Sequence, residues 1–504
     1  MDWGRDSRFE VGDSDADWAW GGLKRSAARW SPNLNLCESR VANHPFRSPI
    51  PGKPSPILNR APCHNRPMTA APLQDTRFRL SEEQARELAQ AYGTPLYVVD
   101  EGHFRQRIQQ YYEGFRAASP KGELSFASKA NSTVALLKIA YQEGCSIDVA
   151  SEGELRAALM AGVPASACHL HGNNKQESEI QFAVEQGIGM IVLDNFEEIE
   201  LFGRMKALVE EKGVKLVIRL APGVDPVTHA KISTGQADTK FGFNIVDGSG
   251  EKALKRTMEL GLPTIGFHCH VGSQLLDPEA QISGGELIAK FAADMKANHG
   301  FETTYLNVGG GLGVMYTEKD VPMSHAEYCK AIVAAVTKAL EGTGLDPKLA
   351  QEPGRSLIAE SGVTLYRVGV VKTVPAKERG TRTYVCVDGG LSDNPRPALY
   401  GSKYTVELVS PSRSADASPV TVSGKHCETD KLFEDIQLPS DVQAGDLIQV
   451  LCTGAYNSSM ASNYNRYQRP ATALIRKDGS FSLVQRRDTW EEMLAREIVP
   501  EGLV

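Results

Sequence analysis

The sequence predicts an α/β protein in two parts: a (β/α)8 barrel of the TIM type, followed by a C-terminal all-β domain. Between Leu80 and Gly354, eight short strand-like runs alternate with amphipathic helical segments, which is the pattern of a closed parallel barrel. After about Val363 the chain changes to short strands and turns without helices of that kind, which is typical of a β domain.

The first residues, 1–75, differ from the rest of the chain. Between Gly21 and Pro67, Glu38 is the only acid, and Arg, Ser, Asn and Pro dominate without periodicity, so we expect a disordered or non-native extension. An acid-poor segment rich in Arg and Ser can be an organellar transit peptide, but the preceding residues are acidic, which argues against targeting. Met68 is an alternative start site.

Residues 76–100 are predicted to supply a helix and a strand that associate with the β domain. The helical run LSEEQARELAQAYG has Ser81 as its N-cap and Gly93 as its stop, and the strand TPLYVVDE follows.

The barrel is predicted over residues 101–363 and the β domain over residues 364–504. The eight barrel strands are the runs LSFASKA, SIDVAS, CHLHGN, GMIVLDN, KLVIRLAP, TIGFHCHVG, YLNVGGG and KLAQEPG. The β domain contains the strand-like runs TLYRVGVVKTV, TYVCVDGG, DLIQVLCTGAY and TALIRKDGSFSLVQRRD. Its polar clusters RPALY, KHCETD and GAYNSSM are too specific for ordinary turns, so we expect them to complete a site in the barrel.

Polar residues crowd the carboxyl ends of the predicted barrel strands, where barrel enzymes place their chemistry. They are Lys129, Ser151, His171, Asn173, Asp194, Arg219, His270, the glycines 309–311, Glu352 and Arg355. A lone lysine at a strand end is usually just solvated. Because Lys129 is one of a set of polar residues around the predicted barrel mouth, we interpret it as a functional residue.

The run HCHVGS places His268 and His270 on the same side of a strand, because side chains alternate. Together with Cys427 they can be zinc ligands, but no further ligand follows at a convincing spacing, and we predict no metal. The run NVGGGLGVMY offers consecutive glycines whose backbone N–H groups can close on an anion. With Ser273, Arg355 and a tyrosine, this turn would form a phosphate cup.

A lysine, a phosphate cup, an imidazole and a strand-end carboxylate are the parts that a pyridoxal 5'-phosphate site requires. The lysine binds the cofactor covalently, and an acid opposite the pyridine nitrogen keeps that nitrogen protonated so that the ring can accept electrons.

Eight motifs occur in one order along the chain: ASKAN, HGNNK, HCHVGSQ, GGGLG, EPGRS, DGGLSDNPRPALY, KHCE and GAYNSSMASNYN. In this the sequence resembles the diaminopimelate decarboxylases, which are fold-type-III pyridoxal phosphate enzymes with an alanine racemase-like barrel. The resemblance extends from about Leu80 to Pro500. It implies decarboxylation of meso-2,6-diaminopimelate to L-lysine, the last step of lysine biosynthesis.

The resemblance also implies roles for the matching residues. Lys129 matches the covalent lysine, His270 the imidazole stacked on the cofactor, and Cys427 the proton donor. The other matching cofactor contacts are Ser273, Gly309, Gly310, Gly311, Glu352, Gly354, Arg355 and Tyr456. The matching substrate contacts are Arg355, Arg396, Tyr400, Glu428 and Tyr456. In this family the cysteine reaches the site from the other subunit, so the resemblance implies a homodimer with shared active sites.

Charge favours the same substrate. The guanidinium of Arg396 can take a distal carboxylate in a two-pronged bond, while Glu428 can pair with the distal ammonium. One departure from the family occurs here: the usual Cys-Glu-Ser-Gly-Asp is replaced by CETDKLFED, which is one residue shorter. Asp430 is therefore not matched to the family's aspartate, and the placements of Cys427 and Glu428 depend on the path of this loop.

Two other functions remain open. One is another fold-type-III decarboxylase, acting on ornithine, lysine or carboxynorspermidine, against which Arg396 and Glu428 argue. The other is a non-catalytic pyridoxal phosphate carrier of the same barrel type, which would lack the β domain and KHCE.

Composition limits the partners and the compartment. A net charge of -7 supplies no basic footprint for nucleic acid, and no apolar run is long enough to span a bilayer. Nine scattered cysteines favour a reducing compartment. We therefore expect a cytoplasmic enzyme with a small amino-acid substrate and no nucleic-acid or membrane partner.

Overall fold

The computed structural model describes residues 75–224, 238–377, 380–411, 414–429 and 431–503. The predicted extension, apart from Asp75, lies outside these ranges, and so does Asp430 of the shortened loop. In the part of the chain that is described, no helix has the length and apolar character needed to cross a membrane.

The strands are numbered in chain order. They are β1 (Leu96–Asp100), β2 (Glu123–Ala127), β3 (Ser146–Val149), β4 (Cys168–Leu170), β5 (Met190–Leu193), β6 (Lys215–Ala221), β7 (Phe243–Asn244), β8 (Thr264–His268), β9 (Tyr305–Asn307), β10 (Lys348–Gln351), β11 (Gly362–Ala376), β12 (Gly380–Val387), β13 (Val406–Leu408), β14 (Ala417–Ser423), β15 (Lys431–Pro439), β16 (Leu447–Leu451), β17 (Ala471–Ile475) and β18 (Phe481–Gln485).

The helices are numbered in the same way. They are α1 (Glu82–Tyr92), α2 (Glu101–Ala118), α3 (Val134–Gln142), α4 (Glu152–Met160), α5 (Glu177–Glu185), α6 (Phe196–Arg204), α7 (Lys206–Lys212), α8 (Ser249–Glu259), α9 (Glu279–His299), α10 (His325–Leu340), α11 (Arg355–Ile358), α12 (Arg396–Tyr400) and α13 (Trp490–Leu494).

Eight parallel strands close into a barrel. Each pairs with the next in the order β2, β3, β4, β5, β6, β8, β9 and β10, and β10 pairs back with β2. These strands coincide with the eight runs that the sequence predicts, and the predicted fold class is confirmed.

Buried apolar strands explain why the barrel forms. All of β5 (MIVL) is buried, and so is β6 after its first residue. Strands covered on one face by the barrel interior and on the other by helices read as continuous apolar runs.

At the start of the described chain, Ser81 caps α1 in a capping box with Gln84, and Gly93 ends it at φ 69°, as the sequence predicts.

The second sheet is built around β11, a strand of 15 residues. It pairs with β1, β12 and β16, and its register shifts between Val368 and Val370. Strand β1 also pairs in parallel with β17, so it lies inside this sheet. Because β11 begins at Gly362, the expected boundary between residues 363 and 364 falls within it, and the division into domains stays a prediction.

The segment after β16 contacts the barrel at the carboxyl end of β2. The Tyr456 N–H donates to the Ala130 carbonyl oxygen at 2.7 Å, and Asn131 Nδ2 donates to the Gly454 carbonyl oxygen at 2.9 Å. These bonds place side chains of the second sheet beside Lys129.

Candidate active site

Lys129 lies in a short 3-10 turn, Ser128–Ala130, that continues β2 at the barrel mouth. Its side chain is reached by solvent through that mouth. Desolvation favours the neutral amine, but the charges of Tyr456, Asp148 and Glu352 together outweigh it, so the pKa of Lys129 lies above its ordinary value. The amine is therefore cationic and attracts an anion to the mouth.

Glu352 is a buried residue directly after β10, at the carboxyl end of the barrel. His268 Nε2 donates to its Oε1 at 2.9 Å, and Asn307 Nδ2 donates to its Oε2 at 3.1 Å. Burial alone would raise the pKa of Glu352, but His268 and His171 outweigh it and hold that pKa well below the usual range. Glu352 is thus a buried carboxylate that keeps its negative charge.

Asp148, the third residue of β3, is a second buried acid beside Glu352. Burial and the charge of Glu352 raise the pKa of Asp148 well above its usual value. Between the two carboxyl groups lies His171, whose Nε2 is 3.5 Å from Glu352 Oε2 and 3.6 Å from Asp148 Oδ1. Of these two neighbouring acids, Glu352 is therefore the one that ionises more readily.

His270 follows β8 by two residues and is half-buried. The Gly310 N–H donates to its Nδ1 at 3.4 Å, which makes Nδ1 an acceptor. Desolvation, and then the charge of Lys129, hold the pKa of His270 well below its usual value. The neutral form of the His270 imidazole is therefore favoured.

The glycine turn at residues 309–311 is packed too closely for side chains. A Cβ on Gly309 would lie 2.4 Å from the Cys269 carbonyl oxygen, and one on Gly310 would lie 2.4 Å from the Glu352 carbonyl oxygen. Gly309 and Gly311 have φ of 74° and 137°, which side chains disfavour. The turn therefore brings bare backbone to the barrel mouth.

Gly354 makes a similar close approach on the other side of the site. A Cβ there would lie 2.9 Å from Ala130 Cβ, in the turn that carries Lys129. The residue that precedes Arg355 must therefore be small.

Arg355 is 4 % exposed and is held by neutral oxygens. Its Nη2 donates to Ser273 Oγ at 3.0 Å, and its Nη1 donates to the Tyr316 hydroxyl. The guanidinium carbon lies 4.7 Å from the centre of the Tyr456 ring. Hydroxyl acceptors orient the guanidinium without neutralising its charge.

Arg396, at the start of α12, is also 4 % exposed. Its Nε donates to the Tyr404 hydroxyl at 2.9 Å and its Nη2 to Ser402 Oγ at 3.3 Å. The guanidinium carbon lies 5.2 Å from the Tyr400 ring centre and 5.5 Å from that of Tyr456. Both arginines thus meet at Tyr456, which has the unusual φ of 61°.

Neither arginine forms an ion pair with an acid among the described residues. A buried charge without a partner is costly, so the site is built for negatively charged ligand groups. This property follows from the structure alone.

The structure does not bring Cys427 and Glu428 to Lys129 within one chain. Both are exposed; the Cys427 N–H donates to Asn465 Oδ1 at 3.2 Å, and the Tyr464 hydroxyl donates to Glu428. In the described part of the chain, their hydrogen bonds do not connect them to the lysine or to the arginines.

Comparison with known proteins places this site in a family. Residues 103–359 match the family model described as the pyridoxal-dependent decarboxylase, pyridoxal binding domain. Diaminopimelate decarboxylase of Bacillus subtilis is 42% identical over 430 residues, which cover 84% of this chain and 96% of that protein. The chain belongs to the diaminopimelate decarboxylase family.

Other members of the family agree. Diaminopimelate decarboxylase of Staphylococcus aureus is 39% identical, with 85% of this chain and 100% of that protein covered. The crystal structure of the M. jannaschii diaminopimelate decarboxylase in co-complex with L-lysine is similar at a TM-score of 0.77 and 32% identity, covering 86% of this chain and 98% of that one. The family expected from the sequence motifs is confirmed.

A metal site is a weaker interpretation of the same histidines. One group among the described residues has ligand atoms within 4.8 Å of one another, namely His171, His268 and Glu352. It includes neither His270 nor Cys427, the residues that the zinc alternative combined with His268. His268 Nε2 is moreover committed as a donor to Glu352, which suits a carboxylate kept charged for a ring nitrogen.

Sequence reasoning missed several residues that shape the site. Asn307 and Tyr316 are the first and last residues of NVGGGLGVMY, a run examined only for its glycines. Asp148 is the third residue of the predicted strand SIDVAS, and the available signal was an acid inside an otherwise apolar strand. Tyr404 had no local signal, because it lies in a loop of the β domain.

Proposed function

We propose that this protein decarboxylates meso-2,6-diaminopimelate to L-lysine, using pyridoxal 5'-phosphate. The observation that carries the proposal is the pair of buried arginines, Arg355 and Arg396, which meet at Tyr456 without an acid partner among the described residues. The cofactor phosphate and the carboxylates of the substrate would supply the missing negative charges.

The residues present fit the cofactor. Lys129 would bind it covalently, Glu352 would pair with its ring nitrogen, and His270 would stack on its ring. The phosphate would lie against Ser273, Arg355, Tyr456, Gly354 and the backbone of Gly309, Gly310 and Gly311. When bound, the cofactor supplies an electron sink for the pair left behind as CO2 departs.

The charge of Glu352 supports that chemistry. His268 and Asn307 occupy one carboxylate oxygen each and so fix its orientation. A carboxylate that stays ionised favours a protonated ring nitrogen opposite it, which strengthens the sink. His270 remains neutral, so it adds no competing positive charge beneath the lysine.

Substrate selection is assigned to the β domain. Arg396 would bind the distal carboxylate in two-pronged fashion, with Tyr400 beside it, and Glu428 would pair with the distal ammonium. Arg355 and Tyr456 would contact the substrate nearer the cofactor. Ornithine, lysine and carboxynorspermidine decarboxylation is the alternative, but ornithine presents only an ammonium at its far end and leaves Arg396 unpaired.

We further propose a homodimer in which Cys427 donates the proton to the α-carbon in the partner's site. The exposure of Cys427 and Glu428 supports this, because both side chains are available to a second subunit. The Cys427 side chain would be the proton source for the α-carbon after CO2 has left.

A cytoplasmic location is part of the same proposal. The cysteines among the described residues are all free thiols, which fits a reducing compartment.

The test is release of CO2 by the cofactor-loaded protein from meso-diaminopimelate, L-ornithine and L-lysine in parallel. We expect turnover of diaminopimelate alone, with L-lysine as the product. Faster release from ornithine or lysine would favour the alternative decarboxylases.

A further inference from the structure

The loop between β9 and α10 carries a buried tyrosine, Tyr316, which is 5 % exposed and lies between the two site arginines. Its hydroxyl accepts a hydrogen bond from Arg355 Nη1. Its ring centre lies 5.7 Å from the guanidinium carbon of Arg355 and 5.9 Å from that of Arg396. One side chain thus contacts both cations.

A second tyrosine extends this contact. The rings of Tyr316 and Tyr404 meet edge to face at 5.0 Å, and the Tyr404 hydroxyl accepts from Arg396 Nε at 2.9 Å. The two tyrosines therefore bridge the arginines with neutral hydroxyls and ring faces, both of which attract a guanidinium while leaving its charge available.

Arg77, near the start of the described chain, helps to hold the backbone of Tyr316 by a hydrogen bond. The Tyr316 carbonyl oxygen accepts from Arg77 Nη1 at 3.1 Å and from Thr405 Oγ1 at 2.9 Å. Arg77 is itself held by Asp75, which accepts from Nε at 2.8 Å and from Nη2 at 2.7 Å. The segment before α1 thus reaches the substrate arginines through Tyr316.

We propose that Tyr316 is a positioning residue that sets the separation and orientation of Arg355 and Arg396, and with it the selectivity for substrates that carry carboxylates, and that Arg77 secures Tyr316. This inference rests on the proposed function. Two like charges repel, and Tyr316, which contacts both guanidinium groups, limits how far either one turns from the direction that a two-ended substrate requires.

The first experiment compares wild type with Tyr316→Phe, which keeps the ring, and Tyr316→Leu, which removes both ring and hydroxyl. With saturating cofactor, kcat and KM are measured for meso-diaminopimelate, and inhibition constants are measured for L-lysine and for cadaverine, which lacks carboxylates. We expect KM for diaminopimelate and the L-lysine constant to rise about tenfold for Phe, the order for a lost hydrogen bond to a charged group, and further for Leu. The cadaverine constant should stay within about twofold.

The second experiment uses a matched pair, Arg77→Met and Arg79→Met. Arg79 also pairs with Asp75 and with Glu407, but its hydrogen bonds do not reach Tyr316. Arg77→Met should lower the preference for L-lysine over cadaverine, whereas Arg79→Met should leave it unchanged. Melting temperatures of both variants report any loss of stability, which by itself does not change this ratio.

The outcomes separate the two proposals. A wild type that releases no CO2 from diaminopimelate overturns the proposed function and the selectivity built on it. An active wild type whose lysine-to-cadaverine ratio is unaltered in both Tyr316 variants overturns the role of Tyr316 alone. Equal effects of Arg77→Met and Arg79→Met overturn the role of Arg77.

Discussion

His268 Nε2 and Glu352 Oε1 lie 2.9 Å apart at the carboxyl ends of β8 and β10, with His268 fully buried and Glu352 5 % exposed. This bond, with the one from Asn307, turns an otherwise unfavourable buried carboxylate into a stable negative charge. The electron-withdrawing power of the proposed site depends on that charge.

Glu352→Gln tests the charge while keeping the size of the side chain. We expect kcat to fall about 100-fold or more, the order seen when one preorganised electrostatic group is removed from an active site. The measurement is CO2 release together with the absorbance spectrum of bound cofactor. Glu143→Gln, in an acid paired with Arg105 outside the site, is the control and should keep wild-type turnover. Normal activity of the Glu352 variant would contradict its role at the ring nitrogen.

Lys129 should be the attachment point of the cofactor. The purified protein should be yellow, and borohydride reduction should fix the cofactor to Lys129, because this amine lies at the barrel mouth and Glu352 lies close enough to raise its pKa. Peptide mapping after reduction identifies the modified residue. Label on a different lysine, or on none, would overturn the assignment of the whole site.

Arg396→Leu should weaken the use of diaminopimelate by a few kcal/mol in kcat/KM, the order for a buried hydrogen bond between charged groups. Cofactor content should not change, because Arg396 is assigned to the distal end of the substrate. Both quantities are measured on the same preparation. If kcat/KM is equal before and after the substitution, Arg396 does not bind substrate.

The buried carboxyl group of Asp393, three residues before Arg396, should make the stability of the folded protein depend on pH. Its Oδ1 accepts from the Gly390 N–H at 2.8 Å, and its Oδ2 accepts from the Tyr366 hydroxyl. Burial raises the pKa of Asp393 to about 7, whereas an aspartate in an unfolded chain has a pKa of about 3.9. Between these values the unfolded chain gives up the proton and the folded chain keeps it, so the wild type loses stability as pH rises.

Asp393→Asn removes this titration, so the stability of the variant relative to wild type should increase between about pH 4 and pH 7. The increase is about 1.4 kcal/mol per pH unit at most, and it should level off above pH 7. Melting temperatures of both proteins across this range provide the measurement. A difference that does not vary with pH would show that Asp393 titrates alike in the folded and unfolded chain.

The fold and the site could be predicted from the sequence only where neighbouring residues along the chain carry the pattern. The barrel strands are buried on both faces and read as apolar runs, and Lys129, His270 and Glu352 follow them at strand ends. The contact from Arg77 to Tyr316 joins residues 239 positions apart, and nothing local in either run indicates the other. The raised pKa of Asp148 likewise arises from burial and from the charge of Glu352, and only folding supplies both.

The shared-site model predicts that two inactive variants restore each other. If Cys427 acts across the subunit interface, each site combines Lys129 of one chain with Cys427 of the other, so Lys129→Ala and Cys427→Ala dimers should each be nearly inactive. In a hybrid dimer, one site carries both lesions and the other carries none. Random exchange makes about half of the dimers hybrids, which should recover roughly a quarter of wild-type activity.

The measurement is decarboxylation after mixing and subunit exchange, with exchange confirmed by differently tagged chains. A cysteine acting within its own chain leaves one lesion in every site, so it predicts no recovery. The shortened segment before β15 makes the experiment discriminating, because its own-chain bonds, from Cys427 to Asn465 and from Tyr464 to Glu428, set how far the thiol can extend. Confirmed exchange without recovered activity would therefore remove Cys427 from the partner's site while leaving the roles of Lys129 and Glu352 intact.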